Sequence, residues 1–122
     1  MADESLFAFT ETVIFTEDLL EYANDEMLFA IQNALLANPY LGDVIKGTSG
    51  ARKGRVGNPK SKSGKSGGFR FIYVYLEKAD RIYLLYIYSK KETTDLTPKQ
   101  AKAFGELVRA IKKEFGEAES TK

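Results

Sequence analysis

The sequence predicts an α+β domain: a small antiparallel β-sheet with an N-terminal helical hairpin and a C-terminal helix, in the order β-α-α-β-β-β-α. Three observations predict it. Two aromatic and β-branched runs, Phe69 to Leu76 and Arg81 to Tyr88, are separated only by Glu77-Lys78-Ala79-Asp80, the pattern of a β-hairpin. Apolar residues recur at helical spacing between Leu19 and Leu36 and again between Phe104 and Phe115. Finally, 122 residues with 43% hydrophobic content suffice for one core and no more, so residues 1–122 are expected to form a single domain with flexible ends at 1–5 and 117–122.

Each element has its own signal. Leu6 to Phe15 alternates loosely and is rich in Phe, Thr, Val and Ile, which predicts the first strand. Thr16 is placed to cap a helix, with Glu17 and Asp18 at its positive end. Leu19, Leu20, Ala23, Met27, Leu28, Ile31, Leu35 and Leu36 continue the helical pattern up to Asn38-Pro39, where the residue before proline ends it. Asn24-Asp25 divides this stretch into two helices, with Asn24 as the second cap. Gly42 to Gly68 holds eight of the ten glycines and reads mostly as loop, apart from a short strand at Ala51 to Val56.

On the strand that follows, Phe69, Phe71, Tyr73 and Tyr75 point one way and Arg70, Ile72, Val74 and Leu76 the other, so both faces are expected to be covered. Thr97-Pro98-Lys99-Gln100 reads as a capping box with proline at the first helical position. Phe104, Leu107, Val108, Ile111 and Phe115 then mark the apolar face of a helix that ends near Gly116.

The charges are sorted along the chain. Met1 to Asp43 holds nine acids and no Lys or Arg, whereas Val44 to Leu76 holds eight cations and no acid, so the net charge of +1 hides two opposite fields. An ordinary surface intersperses both signs. The basic segment therefore predicts contact with a polyanion, with phosphate the leading choice. The chain has no Cys and no His, which excludes disulfides, zinc sites of the usual kind and any imidazole base. Neither a signal-peptide pattern at the start nor an apolar run long enough to span a membrane is present, and a cytoplasmic location without membrane association is the expectation.

Gly64-Lys65-Ser66 looks like the end of a phosphate-binding loop. The full pattern requires glycine where Pro59 stands and a helix where a strand follows, so an ATPase reading is rejected. Arg70 enters an otherwise apolar strand face directly after Gly67-Gly68, and such a cation needs an anion: a protein carboxylate or a bound phosphate. The hairpin tyrosines Tyr73, Tyr75, Tyr83, Tyr86 and Tyr88 read as core and rim before they read as base-stacking platforms.

Taken in order, Asn38-Pro39-Tyr40-Leu41-Gly42-Asp43-Val44-Ile45-Lys46-Gly47-Thr48, Arg52-Lys53-Gly54-Arg55-Val56, Gly67-Gly68-Phe69-Arg70-Phe71-Ile72-Tyr73, Leu84-Leu85-Tyr86-Ile87-Tyr88-Ser89-Lys90-Lys91-Glu92 and Asp95-Leu96-Thr97 resemble the RelE/ParE superfamily of bacterial toxins, closest to its HigB-like branch. The resemblance implies a ribosome-dependent mRNA endoribonuclease that inhibits translation and needs neither metal nor cofactor. It also implies as partners the ribosome, mRNA and a cognate antitoxin of the helix-turn-helix, HigA-like kind. By motif, Lys53, Arg55, Arg70 and Lys91 match the catalytic cations, and Lys46, Arg52, Lys60, Lys62, Lys65 and Lys90 are expected to contact RNA or ribosome. The catalytic tyrosine that some members carry beyond the last strand has no counterpart in Thr93-Thr94-Asp95-Leu96-Thr97, and neither Tyr86 nor Tyr88 is a positional match.

Without histidine, cleavage by the ribose 2′-OH would rest on lysine as base, Lys53 first and Lys91 next, with Arg55 and Arg70 on the transition-state phosphate. Two other readings stay open: a ParE-like inhibitor of a protein target such as gyrase, and a non-catalytic RNA-binding module.

Overall fold

The computed structural model describes residues 8–11, 25–57, 68–89 and 96–116. Among them are β1 (Ala8–Glu11), α1 (Asp25–Ala37), β2 (Asp43–Val44), β3 (Arg52–Val56), β4 (Phe69–Leu76), β5 (Arg81–Ser89) and α2 (Pro98–Glu114). The first helix of the expected hairpin, its cap at Thr16 and the second helix's cap at Asn24 lie outside the described residues.

The strands form one sheet in the order β1-β5-β4-β3-β2. From β2 to β5 every pairing is antiparallel, as expected, but β1 lies parallel to β5, with Ala8 beside Arg81 and Glu11 beside Leu84. A parallel neighbour requires a long connection, and β1 and β5 are separated by all the other strands. The two-residue β2, inside the stretch read as loop, extends the opposite edge.

β4 is central and buried on both faces. Below it Phe69, Phe71 and Tyr73 join Val56, Ile82, Leu84 and Ile87 against Met27, Ile31 and Leu35 of α1. Above it Ile72, Val74 and Leu76 join Leu85 and Tyr88 against Val108 and Ile111 of α2. Each of these large apolar side chains stabilises the fold by about 1.5–3 kcal/mol when fully buried.

The β4–β5 register shifts by one residue between Ile72, opposite Tyr86, and Tyr73, opposite Leu84. Leu85 is the extra residue, and this bulge lets Leu85 and Tyr86 both face α2 while Leu84 and Ile87 face α1. The hairpin closes with Asp80 at φ 50°, a left-handed conformation that Asp tolerates better than most residues.

α1 buries Met27, Ile31 and Leu35 at intervals of four and ends where Asn38 accepts the Tyr40 N–H on its side chain at 3.0 Å. α2 begins with the expected capping box: the Gln100 N–H donates to Thr97 Oγ1 at 3.1 Å, and the Thr97 N–H donates to Gln100 Oε1 at 2.9 Å. Its apolar face differs in one position from expectation. Leu107 is 41% exposed, because the helix is seated through Val108, Ile111 and the backbone at Gly105.

That seat is the loop at residues 45–51. Thr48 Oγ1 donates to the Ile45 carbonyl at 2.6 Å and accepts the Ala51 N–H at 3.1 Å, which folds the loop into a fixed shape. Lys112 Nζ then donates to the Ser49 carbonyl and Arg109 Nη1 to Ser49 Oγ, both at 2.9 Å. A Cβ on Gly105 would stand 2.7 Å from the Gly47 carbonyl oxygen, a backbone atom that cannot swing aside.

Gly105→Ala is therefore expected to destabilise the domain by about 1–3 kcal/mol despite alanine's better helix propensity. Urea unfolding checks this, with Thr97→Ala as a reference for cap loss at about 1 kcal/mol.

Candidate nucleic-acid interface

Register decides which cations meet. In the β3–β4 ladder Arg55 is opposite Arg70 and Lys53 opposite Ile72, and in the β4–β5 ladder Arg70 is opposite Tyr88 and Ile72 opposite Tyr86. Two rungs thus cross the α2 face of the sheet: Arg55, Arg70 and Tyr88 in one, and Asp43, Lys53, Ile72 and Tyr86 in the next. Opposite side chains on such a ladder have Cβ atoms about 4.5–5.5 Å apart.

Arg55 is exposed and Arg70 is 8% exposed, so one rung holds an accessible guanidinium beside a buried one. Arg70 Nη1 is buried with no hydrogen-bond partner. Like charges facing each other repel, and a buried unsatisfied N–H costs about 1–3 kcal/mol, more when it is charged. An anion seated over this rung would relieve both penalties. Of the protein carboxylates that could serve instead, Asp25 and Glu26 belong to α1, under the other face, and Glu17, Asp18 and Glu21 of the expected helical hairpin lie outside the described residues.

Arg52, expected to touch RNA, is placed elsewhere. It pairs with Tyr73 in register and so points to the α1 face, where Nη1 donates to the Gly42 carbonyl at 2.6 Å and the Tyr40 carbonyl at 3.3 Å. Its guanidinium also covers the Tyr40 ring at 5.2 Å. Tyr73 completes this knot: its OH accepts the Gly42 N–H at 3.0 Å and donates to the Pro39 carbonyl at 2.8 Å. Gly42 itself lies so close to β3 that a Cβ would stand 2.5 Å from the Lys53 carbonyl oxygen. Tyr40 adds an edge contact to Tyr75 and a hydrogen bond from its OH to Glu77. Arg52 thus anchors the turn that carries β2 to the site, and parity along β3 is the signal that separates it from Lys53 and Arg55.

Of the remaining cations, Lys46 is exposed and shares with Lys53 a cleft of about 450 Å³ between the β2 edge and the start of α2. Lys60, Lys62, Lys65, Lys90 and Lys91 lie outside the described residues, although the last two follow β5 directly in sequence. Tyr88 is buried in the arginine rung at 2% exposure, and Tyr86 packs against both Tyr88 and Phe104 with ring centroids 5.6 Å apart. Asp43, the last acid before the basic segment, is the cross-strand neighbour of Lys53.

Burial pushes the Tyr73 phenol above its ordinary pKa of 10.0, opposed by the Gly42 N–H and the Arg52 charge. The folded state therefore holds this proton more tightly than the unfolded chain. Its contribution to stability is complete below pH 10 and is lost as pH rises through the folded pKa. Urea unfolding between pH 9 and 11 is expected to show a steeper loss of stability in the wild type than in Tyr73→Phe, which also loses about 1–3 kcal/mol at neutral pH because the Gly42 N–H is left unpaired.

No protein-family model matches the sequence. Among solved structures, the free-state structure of the E. coli toxin RelE, as a double arginine-to-alanine mutant, superposes with a TM-score of 0.55 at 11% sequence identity, covering 86% of this chain and 97% of that one. The chain therefore has the α+β fold of RelE, with the antiparallel strands β2 to β5 between the two described helices.

Proposed function

We propose that this chain is the toxin of a toxin–antitoxin pair, a metal-independent endoribonuclease of the HigB-like branch that cuts mRNA on the ribosome. The observation that carries this reading is Arg70, nine-tenths buried with an unpartnered Nη1 and ranked beside the exposed Arg55. The toxin fold of the RelE neighbour supports it, as do the sequence motifs that brought these residues to attention.

Arg55 and Arg70 hold the scissile phosphate, since guanidinium stays charged and offers two parallel donors to phosphate oxygens. As the 2′-oxygen attacks phosphorus, negative charge builds on those oxygens and the fixed donors stabilise it more than they stabilise the ground state. Lys53, one rung away on the same face, is placed to accept the 2′-OH proton, and Lys91 is the proposed source of a proton for the departing 5′-oxygen. Lys46 and the lysines of 60–65 guide RNA into place. The ribosome fixes the mRNA in reactive geometry, a contribution of about 7–11 kcal/mol that a 122-residue protein lacks on its own. The cognate antitoxin, proposed as HigA-like, sets an acidic segment against the cations of residues 44–76.

Programmed ribosomes carrying end-labelled mRNA test this. Wild-type protein is expected to leave 2′,3′-cyclic phosphate ends, and Arg70→Ala and Lys53→Ala to slow cleavage by about 10²–10³-fold at unchanged fold. Full activity in both variants, or 3′-hydroxyl ends, contradicts the mechanism.

A further inference from the structure

Strands β2 to β5 carry one carboxylate, Asp43, and it stands directly opposite Lys53 on the face that holds Arg55 and Arg70. An acid in that position weakens the pull of the cation cluster on phosphate, a cost for a surface that only binds RNA. The structure nevertheless holds it there firmly. β2 is two residues long, yet the residues on either side of it are tied down: the Gly42 N–H donates to the Tyr73 OH at 3.0 Å, the Gly42 carbonyl accepts from Arg52 Nη1 at 2.6 Å, and the Ile45 N–H donates to the Ala51 carbonyl at 2.8 Å. The Asp43 backbone is thereby fixed beside Lys53.

Lys53 is the cation that gains from such a neighbour. Its amine ends a flexible four-carbon stem, and other cations flank it: Arg55 two residues along β3 on the same face, and Lys46 on the rim of the same cleft. Repulsion from both drives the amine out toward water. Opposite side chains on the ladder have Cβ atoms about 4.5–5.5 Å apart, so the Asp43 carboxylate is within reach of the Lys53 amine and pulls against that repulsion. In the free chain Asp43 is exposed and Lys53 half-buried. RNA lying over the arginine rung would cover them, and attraction between opposite charges grows as water leaves.

We propose that Asp43 is a positioning residue for Lys53, holding its amine beside the arginine rung where the ribose 2′-oxygen of a bound RNA stands. The inference rests on the proposed nuclease reading, with Lys53 as its base. In the step itself the 2′-oxygen gives its proton to Lys53 Nζ and forms the bond to phosphorus, the bond from phosphorus to the 5′-oxygen breaks, and the 5′-oxygen takes a proton from Lys91. Asp43 stays ionised throughout and faces the ammonium that forms. No proton passes to it.

The ribosomal cleavage assay tests this when kcat and KM are measured for Asp43→Asn, Asp43→Glu, Lys53→Ala and the double variant Asp43→Asn/Lys53→Ala. Asp43→Asn is expected to lower kcat by about 10–100-fold, the cost of a misaimed group, with KM unchanged or lower because an acid has left the neighbourhood of the phosphate. Asp43→Glu keeps the charge and is expected to recover most of that loss. In the double variant kcat is expected to equal that of Lys53→Ala alone, since Asp43 then has nothing to hold. Wild-type kinetics in Asp43→Asn, a raised KM at unchanged kcat, an Asp43→Glu variant no better than Asp43→Asn, or a full further loss on top of Lys53→Ala overturns the inference.

The Lys53→Ala arm separates the two readings. A slow Lys53→Ala beside an unimpaired Asp43→Asn leaves the nuclease standing and removes the positioning role. Wild-type rates in Lys53→Ala remove Lys53 as the base, and the inference with it.

Discussion

A guanidinium is placed on a strand that is buried on both faces. β4 sits at the centre of the sheet, with α1 beneath it and α2 above, and Arg70 enters its upper face only one position from the first residue. Everything nearby works against leaving that charge uncompensated. Arg55 opposes it across the ladder, Tyr88 flanks it on the other side, and no acid occurs between residues 44 and 76. Against a net domain stability of about 5–15 kcal/mol such a position is a sizeable cost, and a bound anion would relieve it.

The other strong interactions are arranged so that this face keeps its shape. On the α1 side, Arg52 and Tyr73 bind the turn at residues 39–42 through its own carbonyl and N–H groups, fixing β2 beside β3. On the α2 side, Lys112 and Arg109 bind Ser49 and hold the helix on the loop at residues 45–51. Both anchors spend cations on protein atoms. Geometry thus divides the arginines of the basic segment: Arg52 is tied to backbone carbonyls on the α1 face, while Arg55 and Arg70 face each other on the α2 face.

Elements governed by local pattern were legible in the sequence. The hairpin of β4 and β5, the capping box of α2, the end of α1 at Asn38-Pro39 and the two-faced character of β4 depend on residue alternation, caps and proline sterics, and the structure reproduces them. What was not legible depends on atoms distant in sequence. The loop at residues 45–51 looks featureless because its order comes from Thr48 bonding to backbone and from Lys112, 63 residues away from Ser49. The bulge at Leu85 and the parallel placement of β1 are choices of register and neighbour that no window of residues encodes. For the site, type and order of residues pointed to Lys53, Arg55 and Arg70. Charge alone pointed also to Arg52, whose parity on β3 sends it to the face opposite Lys53 and Arg55.

The central claim is that Arg70 is kept for an external anion and not for the fold. Its most direct test is the urea stability of wild type and Arg70→Met, each with and without a short RNA oligonucleotide carrying a non-cleavable 2′-O-methyl backbone. Removing a buried, incompletely bonded charge for an apolar side chain of similar length should leave the free protein as stable as the wild type or more so, by up to about 4 kcal/mol. The oligonucleotide should then stabilise the wild type and scarcely affect the variant. A free Arg70→Met protein that is less stable by about 3–5 kcal/mol, with the oligonucleotide stabilising both proteins equally, would show Arg70 to be a structural ion and contradict the account.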